Sequence, residues 1–271
     1  MARLVSGSAL GRDPAARDES RYRLAGLVAR RLGGYRLYPK ARSWYRDRAF
    51  GEMIDACPAS PGTIKDKQYA LYQLARAAQA VPGDTVECGV WRGAGSYLIL
   101  KATEQTPERQ HHVFDSFEGL SAPVEADAPG DPRAHAWSAG ELAEPLDLVR
   151  RNLAGFESRV RFYPGWIPDR FDEVRDIRVA FCHIDVDLYE PTLQSLQFFY
   201  DRVVPGGLLV CDDYGYVDCP GATRAFDEFM ADKPESIVHL PSGHGVVFKV
   251  AAAPAAGDGQ GGLARPAAVS I

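Results

Sequence analysis

Four aspartates stand at the ends of two apolar runs between residues 177 and 214, and they are the residues best placed to do chemistry. The run RVAFCHI ends in Asp185 and Asp187, two positions apart, which in extended chain puts both side chains on one side. After Tyr189-Glu190-Pro191, Thr192 can cap a helix with Leu193, Leu196, Phe199 and Tyr200 at helical spacing, and Pro205-Gly206-Gly207 would stop it. A second strand over 208–211 then runs into Asp212-Asp213. Strand, crossover helix and strand form a right-handed βαβ unit, so the two acidic ends share the carboxyl edge, where ligands of open α/β sheets bind. Gathered carboxylates repel and raise each other's pKa unless a positive charge lies among them. With oxygen ligands and no Cys or His at ligand spacing, that charge is expected to be magnesium, manganese or calcium rather than zinc. The competing reading is that each acid is solvated or caps the next helix.

A glycine turn precedes this unit. Residues 85–88 read as a strand, and Gly89-Val90-Trp91-Arg92-Gly93-Ala94-Gly95-Ser96 opens into a helix. Glycines admit close backbone approach to a ligand, and a helix start presents free N–H groups. The spacing of Gly89, Gly93 and Gly95 does not fit GxGxxG, and no GKS or GKT follows, which disfavours a dinucleotide or P-loop site. Glu87, ending the first strand, is placed to hold a cationic amino group. A second strand, 109–114, ends in Asp115, about twenty residues beyond the turn, where a doubly wound fold grips a ribose diol. Together the two acids suit a nucleoside with an amino-acid tail.

The remaining segments position these groups. A helix over 64–80, with Tyr69, Leu71, Tyr72, Leu74 and Ala75 in helical pattern, leads into the sheet. Residues 121–140, rich in Pro, Asp and Ala, form an inserted loop long enough to shape a substrate mouth. A helix (146–153), a third strand (160–163) and a turn at Gly165-Trp166-Ile167-Pro168 follow, and Trp166 either lines a flat base or packs in the core. A helix over 221–231 and a hairpin of 236–240 and 245–250 close the sheet with an antiparallel edge. His183, His239 and His244 read as packing residues. Residues 1–20 and 251–271 read as mobile or disordered tails, 64–250 as the main domain, and 21–63 as an N-terminal helical extension with helices at 22–32 and 44–56. That extension is a candidate lid, cover or subunit interface.

Thirty-one basic against 36 acidic residues, a net charge of -5 and no dense basic stretch argue against nucleic acid as a partner. No apolar run reaches the roughly 18 residues that span a bilayer, and the N-terminus lacks a hydrophobic signal core, so a cytoplasmic location is expected. Five cysteines, odd in number and without a CxxC pair, read as buried free thiols.

The segments VECGVWRGAGS, VFDSFEGL, IDVDLYEPT and VPGGLLVCDDYG, in this order, resemble the macrocin O-methyltransferase family. The similarity covers about 64–250. It implies a class I methyltransferase fold, a Rossmann-like, seven-stranded, mostly parallel α/β sheet with an antiparallel C-terminal strand. It also implies S-adenosyl-L-methionine as cofactor, a magnesium ion, and transfer to a sugar hydroxyl of an antibiotic or other glycosylated metabolite. By this resemblance Glu87, Gly89, Gly93 and Ser96 lie along the methionine end and Asp115 and Ser116 at the ribose. Asp185, Asp212 and Asp213 then match the metal ligands and Asp187 the base, with the two roles interchangeable between Asp185 and Asp187. Many members read WRGG and DGDLYES where this chain has WRGAG and DVDLYEP, which bears on the acceptor pocket. Alternatives from the residues are a metal-dependent catechol or phenol methyltransferase, a metal-dependent phosphoesterase, and a non-catalytic nucleoside-binding module. A homo-oligomer would form through the N-terminal helices.

Overall fold

The computed structural model describes residues 24–28, 31, 47–59 and 65–251. The expected tails lie outside these residues except for Ala251, as does much of the N-terminal extension. Residues 24–28 and 31 are helical, within the expected helix over 22–32. The next helix, α1, spans Arg48–Asp55, and Asp47 caps it by accepting the Phe50 N–H. Phe50 and Ile54, four apart, are its buried face. Phe50 packs on Tyr69 and Tyr72 of α2 (Lys65–Ala77), with ring centroids 4.9 and 5.7 Å apart.

The sheet follows: β1 (Asp84–Cys88), α3 (Ala94–Ala102), β2 (His111–Asp115), α4 (Leu146–Asn152), β3 (Val160–Pro164), β4 (Val179–Ile184), α5 (Tyr189–Phe199), β5 (Val203–Cys211), α6 (Pro220–Met230), β6 (Val238–His239) and β7 (Gly245–Phe248). Its order is β3-β2-β1-β4-β5-β7-β6, parallel from β3 through β5, with β7 antiparallel to β5 and β6 antiparallel to β7. The order reverses between β1 and β4, so a crevice opens at their carboxyl ends. Every residue of β4 is buried, the pattern of a parallel strand covered on both faces. Phe114, Leu196, Phe199 and Phe226 form the core on one side, and Phe50, Leu71, Leu98 and Phe181 on the other.

Two expectations about the acidic unit require correction. Helix α5 begins at Tyr189, not after Thr192, and Thr192 is buried in its first turn with its hydroxyl unpaired. The cap comes from 62 residues away, where Asp127 Oδ1 accepts the Tyr189 N–H at 2.7 Å. Pro205-Gly206-Gly207 does not end the helix but lies inside β5, which starts at Val203 rather than at 208. There Val179 pairs with Val203 and Phe181 with Leu208, a bulge that Gly206 permits with φ +83°. A β-carbon at Gly207 would lie 2.9 Å from the Ala180 carbonyl oxygen, so the strands approach only over a glycine.

Candidate functional site

Backbone pairing continues just past the strand ends. Gly89 N–H donates to the Phe114 carbonyl, Asp185 N–H to Cys88 and Asp212 N–H to Ile184, at 2.8, 2.8 and 2.9 Å. These bonds bring the glycine turn and both acidic ends onto one edge. Gly89, at φ +81°, leaves no room for a side chain, because a β-carbon would lie 1.8 Å from the Asp185 carbonyl oxygen. The glycine is therefore required by the contact with β4 before any ligand is considered. A cavity of about 440 Å³ opens at this edge, lined among others by Gly89, Trp91, Asp115, Trp166, Asp185 and Asp187.

Asp115 sits in this wall as a preorganised carboxylate. Val90 N–H donates to Oδ2 at 2.7 Å and Phe117 N–H to Oδ1 at 2.6 Å, and Phe117 itself lies at φ +58°. Burial still pushes the Asp115 pKa up against these bonds. Ser116 also lines the cavity, with its hydroxyl donating to Gly119 O and accepting from Glu118 N–H. Trp166 is 38% exposed on the cavity wall, so it is not the core residue that one reading expected.

Three residues assigned to the methionine end do not line this cavity. Gly93 caps α3 at φ +93°, with Val149 where a β-carbon would point. Ser96 is fully buried and donates to Glu87 Oε2. Glu87 is 1% exposed, with His183 Nδ1 2.9 Å from Oε1 and His111 Nε2 3.8 Å from Oε2. Burial opposes its ionisation, but the adjacent His111 and His183 outweigh it and hold the pKa at about 2. Glu87 is thus the anion of an internal network rather than an open hand for an amino group. Gly95 seals it, since a β-carbon there would meet Oε1 at 2.1 Å.

The four aspartates do converge, though not by strand alternation. Strand β4 ends at Ile184, and Asp187 lies at φ +58°, so a left-handed turn brings it beside Asp185 on the cavity wall. Asp187 Oδ1 receives the Cys219 thiol at 3.5 Å. Oδ1 of Asp212 lies 3.3 Å from His183 Nε2 and 2.9 Å from His244 Nε2, while Oδ2 pairs with Lys67 of α2. Lys67 Nζ is also 3.4 Å from Asp213 Oδ1, and Asp213 Oδ2 is buried without a hydrogen-bond partner. The charges divide accordingly. For Asp212, burial is overcome by His183, His244 and Lys67, and its pKa falls well below the carboxylate range. Burial and then the Asp212 and Asp213 charges push Asp185 well up; burial and then Asp213 do the same to Asp187. Burial would lower His183, yet Asp212 and Glu87 raise it to about 10, which favours the protonated ring and makes it more than a packing residue.

Lys67, His183 and His244 are members of the site that the sequence reading missed. Lys67 had one signal: it falls on the same helical face as the buried Leu71 and Ala75, where a lysine needs a partner. Oxygens of Asp185, Asp212 and Asp213 all lie within 4.8 Å of one another. That oxygen-only set, with the orphaned Asp213 Oδ2 among it, fits a hard divalent cation. All five cysteines are buried free thiols, as expected.

A doubly wound seven-stranded sheet with β7 slotted antiparallel beside β5, and a cavity at the β1/β4 switch, defines a class I methyltransferase fold. Residues 66–239 match the macrocin-O-methyltransferase (TylF) family, and the chain belongs to that family. It is 39% identical over 158 residues to the 8-demethyl-8-(2,3-dimethoxy-alpha-L-rhamnosyl)-tetracenomycin-C 4'-O-methyltransferase of Streptomyces olivaceus, covering 55% of this chain and 59% of that protein. It is 37% identical over 158 residues to the demethyldecarbamoylnovobiocin O-methyltransferase of Streptomyces niveus, covering 56% and 59%. The chain thus spans about three-fifths of the length of these curated relatives. Among solved structures, that of the O-methyltransferase NovP matches with a TM-score of 0.57 at 31% identity, over 68% of this chain and 80% of that one. The calicheamicin methyltransferase CalS11, at 18% identity and a TM-score of 0.55 over 91% and 99%, shares the fold.

Proposed function

We propose that the protein is an S-adenosyl-L-methionine-dependent O-methyltransferase that methylates a sugar hydroxyl of a glycosylated small molecule, with a magnesium or manganese ion at the acidic edge. One observation carries this reading: a single cavity is lined by Asp115 and by the Asp185/Asp187 pair. The relatives' names support the acceptor class, since one names a rhamnosyl-bearing tetracenomycin. The bound cofactor would supply an electrophilic methyl group, and the cation positive charge at the acceptor hydroxyl.

The chain's own groups do the rest. Asp115, fixed by two backbone N–H donors, receives the ribose hydroxyls at its remaining lone pairs, and Ser116 and the Trp166 ring flank the nucleoside. Asp185, Asp212 and Asp213 would hold the cation. Asp187 accepts the acceptor's proton at the oxygen that Cys219 does not engage. Glu87 and His183 sit behind the edge and fix Asp212.

The test is a transfer screen with labelled cofactor over glycosylated metabolites, free sugars and catechols, each with magnesium and with chelator. Label on a glycosylated acceptor, lost with chelator, supports the reading. Transfer to catechols alone favours a phenol methyltransferase, and phosphate ester cleavage without cofactor binding favours a phosphoesterase.

A further inference from the structure

Lys67 is buried against the acidic edge, yet the methyl-transfer reading gives it no task. Its side chain is 14% exposed, and it stands outside the cavity lining. Both oxygens of Asp212 are engaged: His183 and His244 face Oδ1, and the Lys67 ammonium pairs with Oδ2. The same ammonium reaches Asp213 Oδ1. Asp213 keeps Oδ2 for a divalent cation, but Asp212 could offer one only Oδ2, where the Lys67 ammonium already places a positive charge that repels a second cation at the same oxygen.

We propose that Lys67 is a built-in counter-ion that holds Asp212 and Asp213 together without metal and is displaced from Asp212 Oδ2 when a divalent cation binds. The inference rests on the acidic edge being a cation site. The lysine has somewhere to go, because its flexible four-carbon stem already places Nζ 4.9 Å from the centre of the Tyr216 ring, a site that suits an ammonium. The displacement also links the cation to the N-terminal helices, since α2 carries Lys67 and packs through Tyr69 and Tyr72 on Phe50 of α1.

The experiment titrates manganese into the metal-free full chain by calorimetry, for the parent, Lys67→Met and Lys67→Arg. Removing the competitor should tighten manganese binding at least about tenfold, or about 1.4 kcal/mol, in Lys67→Met. Lys67→Arg, which keeps the charge, should stay closer to the parent. Without metal, Lys67→Met should melt below the parent, with the gap narrowing at saturating manganese. A measurement on the parent alone covers the case of a variant that does not fold: acetic anhydride labelling read by mass spectrometry should find Lys67 protected without manganese and reactive with it. Equal or weaker manganese binding by a folded Lys67→Met, or reactivity unchanged by manganese in a parent shown to bind it, overturns the role of Lys67 and leaves the cation site standing. Absence of manganese binding in both parent and Lys67→Met overturns the cation site and this inference with it.

Discussion

Asp127 ties the inserted loop to the start of α5, and its removal is a direct test of how the cavity wall is held. Its carboxylate is 6% exposed and accepts two backbone bonds, from Tyr189 N–H at 2.7 Å and Val124 N–H at 2.9 Å. Asp127→Ala removes both acceptors at once. Loss of a helix cap costs about 1 kcal/mol, and a buried donor left without a partner about 1–3 kcal/mol. For two donors, one of them the cap, with partial relief by water, the expected loss is about 2–4 kcal/mol. Urea unfolding followed by far-UV circular dichroism measures it. Asp127→Asn, retaining one carbonyl oxygen, should fall between Ala and the parent. Glu125→Ala, on the exposed side of the same turn, should hardly move the midpoint. The loop should also loosen, so that proteolysis within 121–140 speeds up in Asp127→Ala before global unfolding. An Asp127→Ala midpoint matching that of Glu125→Ala would refute the claim that this carboxylate anchors both segments.

Two further outcomes follow from the buried network and the cavity wall. A folded pKa of about 10 for His183 against 6.5 unfolded means the native state holds more protons between those values. Its stabilisation is thus complete below pH 6.5 and lost as pH rises toward 10, a fall on the order of 2–4 kcal/mol by pH 9.5. Urea midpoints of chelator-treated protein from pH 6 to 9.5 should show that fall in the parent and a flatter profile in His183→Asn; parallel profiles would count against a buried imidazolium. Asp115→Ala should weaken S-adenosylhomocysteine binding by about 1.5–3 kcal/mol through loss of charge-assisted hydrogen bonds, and unchanged affinity by calorimetry would remove Asp115 from the cofactor site.

The sheet was legible because its signals are local. Apolar runs ending in acid, a glycine turn and a crossover helix each mark themselves within about ten residues, and the structure has strands and helices where they fall. The start of α5 was misread because its cap, Asp127, comes from a loop distant in sequence, while Thr192 offered a plausible local one. Pro205-Gly206-Gly207 has the composition of a helix stop, but here it builds a bulge within β5. The acidic edge was found because aspartates cluster in sequence, whereas the side chains that contact it were not. Lys67 is 146 residues from Asp213, and His183 and His244 sit in or beside strands that pattern alone assigns to packing. Glu87 was placed on the correct strand end, but which way a carboxylate faces there depends on the histidines behind it.

The central claim, that the acidic edge of this cavity carries out methyl transfer with Asp187 as proton acceptor, is tested most directly by turnover of Asp187→Asn. With the best acceptor from the transfer screen, labelled cofactor and saturating magnesium, the account predicts a loss of about 10² to 10⁴ fold in kcat. S-adenosylhomocysteine affinity should be unchanged, and added metal should not restore the rate. Turnover within about threefold of the parent, or its recovery by excess magnesium, would contradict the account.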